Sequence, residues 1–239
     1  MYAGIDVFVL LSIPGFIIAG NLMNQGGLTD KIINFCNHLL GHVRGGLSYV
    51  NISASMLFAG ISGTAISDTA SLGAVMIPAM KKEGYDSDFS CAVTAASSTV
   101  GPIIPPSLPM IIAATLSGLS VGKLFLAGAI PGLLLGFGLI LVAYFVAKKK
   151  NYPKHPKSSI LQIIKSFTDT FWALLMTLII LFGIIGGVFT PTEASVIAVL
   201  YALFIGTFVY KKLNLKNISV VILDSMKTTA SLMILVGFA

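Results

Sequence analysis

Residues 89–122 run for thirty-four positions without a single charge, and their centre reads Ser97-Ser98-Thr99-Val100-Gly101-Pro102-Ile103-Ile104-Pro105-Pro106-Ser107-Leu108-Pro109. A run this long and apolar exceeds the ~20 residues a helix needs to cross a bilayer. Yet its four prolines fall within eight positions, and each lacks an N–H and clashes with the preceding turn, so no continuous helix forms. The segment therefore reads as two half-helices, about Phe89–Val100 and Met110–Gly122, joined by irregular backbone near mid-membrane. Such backbone is tolerated at that depth only where protein buries it or where it lines a polar cavity. Broken helices of this kind build the substrate and ion sites of secondary transporters. A proline kink without a binding role is the competing reading.

Composition agrees with a membrane protein: 56% of the residues are hydrophobic and 10% charged, against ~25% charged in soluble chains. The net charge of +6 does not point to nucleic acid, because the lysines cluster beside hydrophobic runs, as topology determinants do. Cys36 and Cys91 lie far apart, and His38, His42 and His155 are scattered, so neither a disulfide framework nor a transition-metal site is expected. The first residues lack a basic stretch and a small-residue cleavage motif, so no signal peptide is expected.

Charge-free runs recur at Val7–Thr29, Gly45–Ser67, Phe89–Gly122, Leu124–Ala147, Thr170–Thr192 and Ala194–Tyr210. Between the first two, Ile32, Ile33, Phe35, Cys36, Leu39 and Leu40 recur near helical spacing among Lys31, His38, His42 and Arg44. That pattern suits an amphipathic helix lying in the membrane interface; a short loop is the alternative. Ser158–Thr168 is a second candidate of the same kind, leading to the interfacial aromatic Trp172.

The lysines fix a topology. Lys148, Lys149, Lys150, Lys154 and Lys157 place one end of Leu124–Ala147 in the cytoplasm, and Lys211 and Lys212 return to the same side after an outer turn at Pro191-Thr192-Glu193. Lys123 is then outside and Lys81 and Lys82 inside. Arg44 is also inside only if Gly45–Met80 enters and leaves by one face, which makes it a re-entrant hairpin. Its interior, Ala59 to Ala70, is dense in Gly, Ser and Thr. Glycine releases the backbone for a tip, and carbonyls with hydroxyls suit a hard cation such as Na+; small residues also permit close helix packing. Asp68 is the one acid in this membrane-entering segment, a candidate ion ligand or the cap of the hairpin's second arm. Glu193 after Pro191 reads as a helix start. The Lys148–Lys150 run reads as a topology anchor, with lipid binding as a weaker option.

The expected division is a span over 1–28, an interfacial arm helix over 29–46, hairpin and broken helix over 47–122, a span and basic cytoplasmic loop over 123–157, and a second arm helix, two scaffold spans and the start of a second repeat over 158–239. Ser231–Ala239 is apolar but too short to span, and Met1–Asp6 enters a span almost at once, so the chain is expected to be a fragment.

A set of motifs carries a family resemblance: Gly20-Asn21-Leu22-Met23-Asn24-Gln25-Gly26-Gly27, His42-Val43-Arg44-Gly45-Gly46-Leu47, the run Ala54–Ala65, Ile77-Pro78-Ala79-Met80-Lys81-Lys82-Glu83-Gly84-Tyr85, Ala92–Pro109, Gly122-Lys123-Leu124-Phe125-Leu126-Ala127-Gly128 and Gly187-Val188-Phe189-Thr190-Pro191-Thr192-Glu193-Ala194. In order and nearly continuous from Ile5 to Ala239, they resemble the large membrane subunit of tripartite ATP-independent periplasmic (TRAP) transporters. The resemblance implies a sodium-driven importer of organic anions such as dicarboxylates, keto acids or sialic acid, in the bacterial inner membrane. It implies two partners, a small membrane subunit and a periplasmic substrate-binding protein, and no cofactor beyond Na+ as coupling ion. It also implies an all-α, elevator-type fold with a re-entrant hairpin and a broken transmembrane helix, here with an incomplete inverted repeat.

On that reading Ser62, Gly63 and Thr64 at the hairpin tip face Ser97, Ser98, Thr99 and Gly101 at the break, and together hold sodium. The half-helix ending near Val100 turns its carbonyl end to the cation. Pro105, Pro106 and Ser107 lie near the substrate, and the half-helix after Pro109 offers N–H groups to its carboxylate. A stand-alone sodium–anion symporter without a soluble partner fits the same features. An intramembrane enzyme does not, since no second acid pairs with Asp68 and no membrane histidine is there to activate Ser62.

Overall fold

Polar caps and glycines set most helix ends in the computed structural model, which describes residues 7–238. After a 3-10 turn at Phe8–Leu11 come α1 (Ser12–Gln25), α2 (Leu28–Leu40), α3 (Gly46–Ser62), α4 (Ala65–Lys82) and α5 (Ser87–Ser98). Then follow α6 (Leu108–Ser117), α7 (Val121–Lys150), α8 (Ile160–Ile185), α9 (Pro191–Phe204), a π-helical turn at Ile205–Val209 and α10 (Leu215–Phe238). Gly27, Gly45 and Gly63 take left-handed backbone at the ends of α2 and α3. Capping boxes at Ser159/Gln162 and Thr190/Glu193 start α8 and α9, each satisfying two otherwise orphaned donors.

Among the described residues, five segments are long and apolar enough to cross a membrane: Phe8–Gln25, Val121–Lys150, Ile160–Ile185, Pro191–Val209 and Asn217–Phe238. The chain is thus an all-α polytopic membrane protein. Close packing uses small residues, as expected where lipid offers no hydrophobic drive between helices. A Cβ at Gly15 of α1 would overlap the Ser195 side chain of α9. Gly128, Gly132 and Gly136 form one stripe on α7 that receives Met110, Ile104 and Met56, so α7 is the wall against which the α5–α6 connection and α3 are seated. Thr177 of α8 donates to the Gly60 carbonyl at 3.0 Å, and Asn21 of α1 donates to Ser225 of α10 at 2.9 Å.

After α7 the chain crosses the foot of the α3–α4 pair. The Lys150 ammonium meets Asp86 at 2.9 Å, and the Tyr152 hydroxyl donates to the same carboxylate at 3.0 Å. The Tyr152 ring stacks on Tyr85 at 4.2 Å between centroids, His155 meets Glu83 at 2.8 Å, and the Gly45 N–H donates to the Pro153 carbonyl at 2.9 Å. The hydrogen bond from Lys150, then that from Tyr152, holds the Asp86 carboxyl below its ordinary range. A depressed carboxyl adds stability that is complete above its unfolded pKa of about 4 and is lost as pH falls through the lower folded value. Asp86→Asn is therefore expected to flatten the fall in melting temperature between about pH 5 and pH 3; an unchanged acid limb in the purified protein would show that this contact adds nothing.

Several boundaries differ from those read in the sequence. The two helices flanking the prolines run Ser87–Ser98 and Leu108–Ser117 rather than Phe89–Val100 and Met110–Gly122. Ser107 caps α6 three residues before its first free donor, Gly118 ends it in left-handed backbone, and Ser120 caps α7 at once. Ser158–Thr168 does not form a separate helix: α8 continues without a break to Ile185, since no proline or glycine interrupts 160–182. Ser231–Phe238 is the last third of the 24-residue α10, with Ala239 outside the described residues. Of the span expected over 1–28, residues 1–6 also lie outside them, and helix runs from Phe8. Over 29–46 the helix alternative holds, as α2 with Leu28, Ile32 and Cys36 buried on one face.

Candidate ion and substrate site

The α3–α4 corner and the α5–α6 connection touch backbone to backbone. Gly63 closes α3 with φ of 62°, its N–H bonded to the Ala59 carbonyl at 3.1 Å. Its own carbonyl accepts the Leu108 N–H at 3.3 Å, and a Cβ on Gly63 would lie 2.7 Å from the Pro106 carbonyl oxygen. Thr64 then caps α4 by accepting the Ser67 N–H at 3.2 Å. The cap is thus Thr64 and not Asp68. One turn into α4, Asp68 turns inward and is fully buried. Its Oδ1 accepts a hydrogen bond from the Ser62 hydroxyl, while its Oδ2 has no partner among the described residues.

That bare oxygen faces a cradle. A Cβ placed on Gly101 would lie 2.6 Å from Asp68 Oδ2, 3.2 Å from the Ser98 carbonyl oxygen and 3.2 Å from the Thr64 carbonyl carbon. An orphaned buried carboxylate oxygen beside a backbone carbonyl and the C-terminal end of α5 is a strongly electronegative corner. Its donor set is all oxygen, which suits a hard cation. Among the described residues no His/Cys/Asp/Glu group forms a transition-metal cluster.

Beside the cradle opens a cavity of about 630 Å³ walled by α1 (Gly20, Asn21, Asn24), the start of α4, the start of α6 and α10 (Thr228, Ser231). The expectation that α6 offers N–H groups there fails. Leu108 N–H goes to Gly63, Pro109 has none, and Met110 and Ile111 N–H go to the hydroxyl and carbonyl of Ser107. The start of α4 differs: Ala65 and Ile66 both line the cavity, and their N–H groups have no acceptor among the described residues. Sequence alone hid part of this, because the Leu108 donor is satisfied by Gly63, 45 positions earlier in the chain.

Residues 1–239 match, as a whole, the family described as tripartite ATP-independent periplasmic transporter, DctM component. The chain belongs to this family. It is 45% identical over 99% of its length to a sialic acid TRAP transporter large permease protein of Vibrio cholerae, of which it covers 55%. To a 2,3-diketo-L-gulonate TRAP large permease of Escherichia coli it is 41% identical over 99% of its length, covering 56% of that protein. To a C4-dicarboxylate TRAP large permease of Pseudomonas aeruginosa it is 40% identical over 97%, covering 54%. The chain spans about half the length of these relatives. They are permeases, not enzymes, and with five apolar helices the chain is a multi-pass protein of the bacterial inner membrane.

Within this TRAP permease chain the structure sorts the residues picked from sequence. Ser62, Thr64 and Gly101 meet around Asp68, and Ser98 contributes its carbonyl, whereas Gly63 packs against Pro106 and Leu108. The Ser98 hydroxyl is bonded back to Thr94 at 2.8 Å. Ser97 looks away, its hydroxyl 2.9 Å from that of Ser55 on α3, and Thr99 is exposed with its hydroxyl on the Ala96 carbonyl. Pro106 and Ser107 lie against the hairpin corner rather than in the cavity wall, whereas Pro102, Leu108 and Pro109 do line it. Pro105 is buried beside Gly60. Asn21, Asn24, Ala65 and Ile66 were not singled out by sequence; the signal available was two asparagines three apart in an apolar span.

Proposed function

We propose that this chain is the sodium- and substrate-binding part of a large TRAP permease that imports organic anions, drawing on the sodium gradient and on a periplasmic binding protein and small membrane subunit as partners. In this reading α3–α4 is a re-entrant hairpin, α5–α6 a broken transmembrane helix, and both move as a unit of an elevator-type carrier past arm helices such as α2. The observation that carries it is the buried, unpartnered Asp68 Oδ2 facing Gly101 where hairpin and break meet.

Asp68, the Ser62 hydroxyl and the Ser98 carbonyl hold the cation; its charge offsets a carboxylate that no water solvates. The substrate carboxylate docks on the free N–H groups of Ala65 and Ile66, at the positive end of the α4 dipole. Because cradle and dock share the 62–68 segment, ordering that segment for one ligand favours the other, and the coupling is reciprocal. Family membership favours this over a stand-alone symporter, since the relatives carry TRAP names.

The test is uptake of radiolabelled sialic acid, succinate and 2,3-diketo-L-gulonate into proteoliposomes holding the full-length permease and its partners, with and without an inward sodium gradient. Uptake of at least one that collapses when potassium replaces sodium is expected. Uptake of none, or uptake indifferent to sodium, overturns the reading.

A further inference from the structure

One pair of charges stands apart from the site just described. Asp224 and Lys227 are the only charged residues in the apolar segment Asn217–Phe238, and they pair at 3.2 Å. Lys227 lies twelve residues into α10, about 18 Å from its start at 1.5 Å per residue, deep in the span. A charged pair at that depth costs several kcal/mol unless a protein or aqueous face receives it, and such residues mark substrate pathways. The face is identifiable. Asp224, Thr228, Ser231 and Leu235 follow at i, i+4, i+7 and i+11 on one stripe of α10, and the last three line the cavity. The hydrogen bond from Asn21 to Ser225 fixes this level of α10 against α1, where Asn21 itself lines the cavity. Lys227, four residues before Ser231, pairs with Asp224 beside that stripe; neither lines the cavity wall itself, and both side chains are exposed, at 79% and 61%.

Beyond the Thr64, Ser67 and Ser71 hydroxyls at the α4 end, the cavity's side-chain donors are committed elsewhere. The amide of Asn21 donates to Ser225 and that of Asn24 to Ser71, while Thr228 and Ser231 donate their hydroxyl protons to the α10 backbone. Among the described residues no cationic side chain lines the wall. An anion seated on the Ala65 and Ile66 N–H groups presents its other polar end to a wall rich in acceptors, with one ammonium beside the α10 stripe that forms part of it.

We propose that Lys227 is the residue that recognises a second anionic or strongly polar end of the substrate, and that Asp224 holds its ammonium until that end arrives. This rests on the organic-anion reading of the cavity. Exchange of one carboxylate partner for another leaves the ammonium paired throughout and avoids a bare charge in the span.

The experiment is equilibrium binding of radiolabelled succinate, sialic acid and 2,3-diketo-L-gulonate to the purified full-length permease at saturating sodium, beside its sodium-induced rise in melting temperature. Lys227→Gln is expected to raise Kd for the bound anion at least about tenfold and to leave the sodium-induced rise intact. Lys227→Arg is expected to keep Kd within a few-fold, and Asp224→Asn to leave it level or lower it. An unchanged Kd in Lys227→Gln overturns the proposal while leaving the transport reading untouched. If that variant fails to insert, a tenfold loss in Lys227→Arg overturns it instead. Wild-type protein that binds none of the three with sodium present overturns the anion reading, and this inference with it.

Discussion

Asp68→Asn is expected to weaken the sodium activation of uptake while leaving the protein at least as stable as wild type in sodium-free buffer. The two halves of that expectation come from one observation, the unpartnered Oδ2 in a fully buried side chain. Asparagine keeps an oxygen for the Ser62 hydroxyl but brings an NH2 group, a donor, to the place where a cation needs an acceptor. A contact to an ionised group is worth ~1.5–3 kcal/mol, so half-saturation by sodium should rise roughly ten- to a hundredfold. Stability moves the other way, because a buried charge without a partner is a liability that the neutral amide lacks. Sodium titration of uptake, with melting temperature in sodium-free detergent, reads both. A variant that melts far below wild type and inserts poorly would make Asp68 a packing residue, and the cradle would lose its ligand.

The sequence carried the outline of this site but not its wiring. Glycine at 63 and the four prolines after Gly101 announce a corner and a break because their backbone limits are local. That corner and that break meet through the Leu108 N–H on the Gly63 carbonyl and the approach of Gly63 to Pro106. What stayed hidden was tertiary. Thr64 and Asp68 both suit a cap, and only the turn of α4 toward Gly101 sends Asp68 inward. Ser97 and Ser98 are neighbours in sequence yet opposite in role, since a helix points successive side chains about 100° apart and Ser55 waits on one side. The α10 helix escaped notice because Asp224 and Lys227 interrupt its apolar run. A search for charge-free stretches passes over an apolar helix that carries an ion pair.

Two glycines, Gly101 and Gly63, separate ion binding from folding, and their alanine variants are expected to fail in different ways. Gly101 is not among the glycines with positive φ, so alanine can adopt its backbone. Its methyl would project toward Asp68 Oδ2, at 2.6 Å, and the Ser98 carbonyl, at 3.2 Å, filling the space assigned to sodium. Gly101→Ala should therefore melt near wild type without sodium, lose the sodium-induced rise in melting temperature, and lose sodium-driven uptake. Gly63 is different. Its φ of 62° is left-handed, and a methyl there would meet the Pro106 carbonyl at 2.7 Å, a backbone atom that cannot rotate aside. The conformation alone costs an alanine roughly 1–2 kcal/mol, and the contact with Pro106 adds to it. Gly63→Ala should lower the melting temperature in sodium and in its absence alike, because the corner itself is deformed. The comparison turns on the sodium-induced shift: if Gly101→Ala retains it in full, the cation binds elsewhere, and Asp68 and Gly101 meet for packing alone.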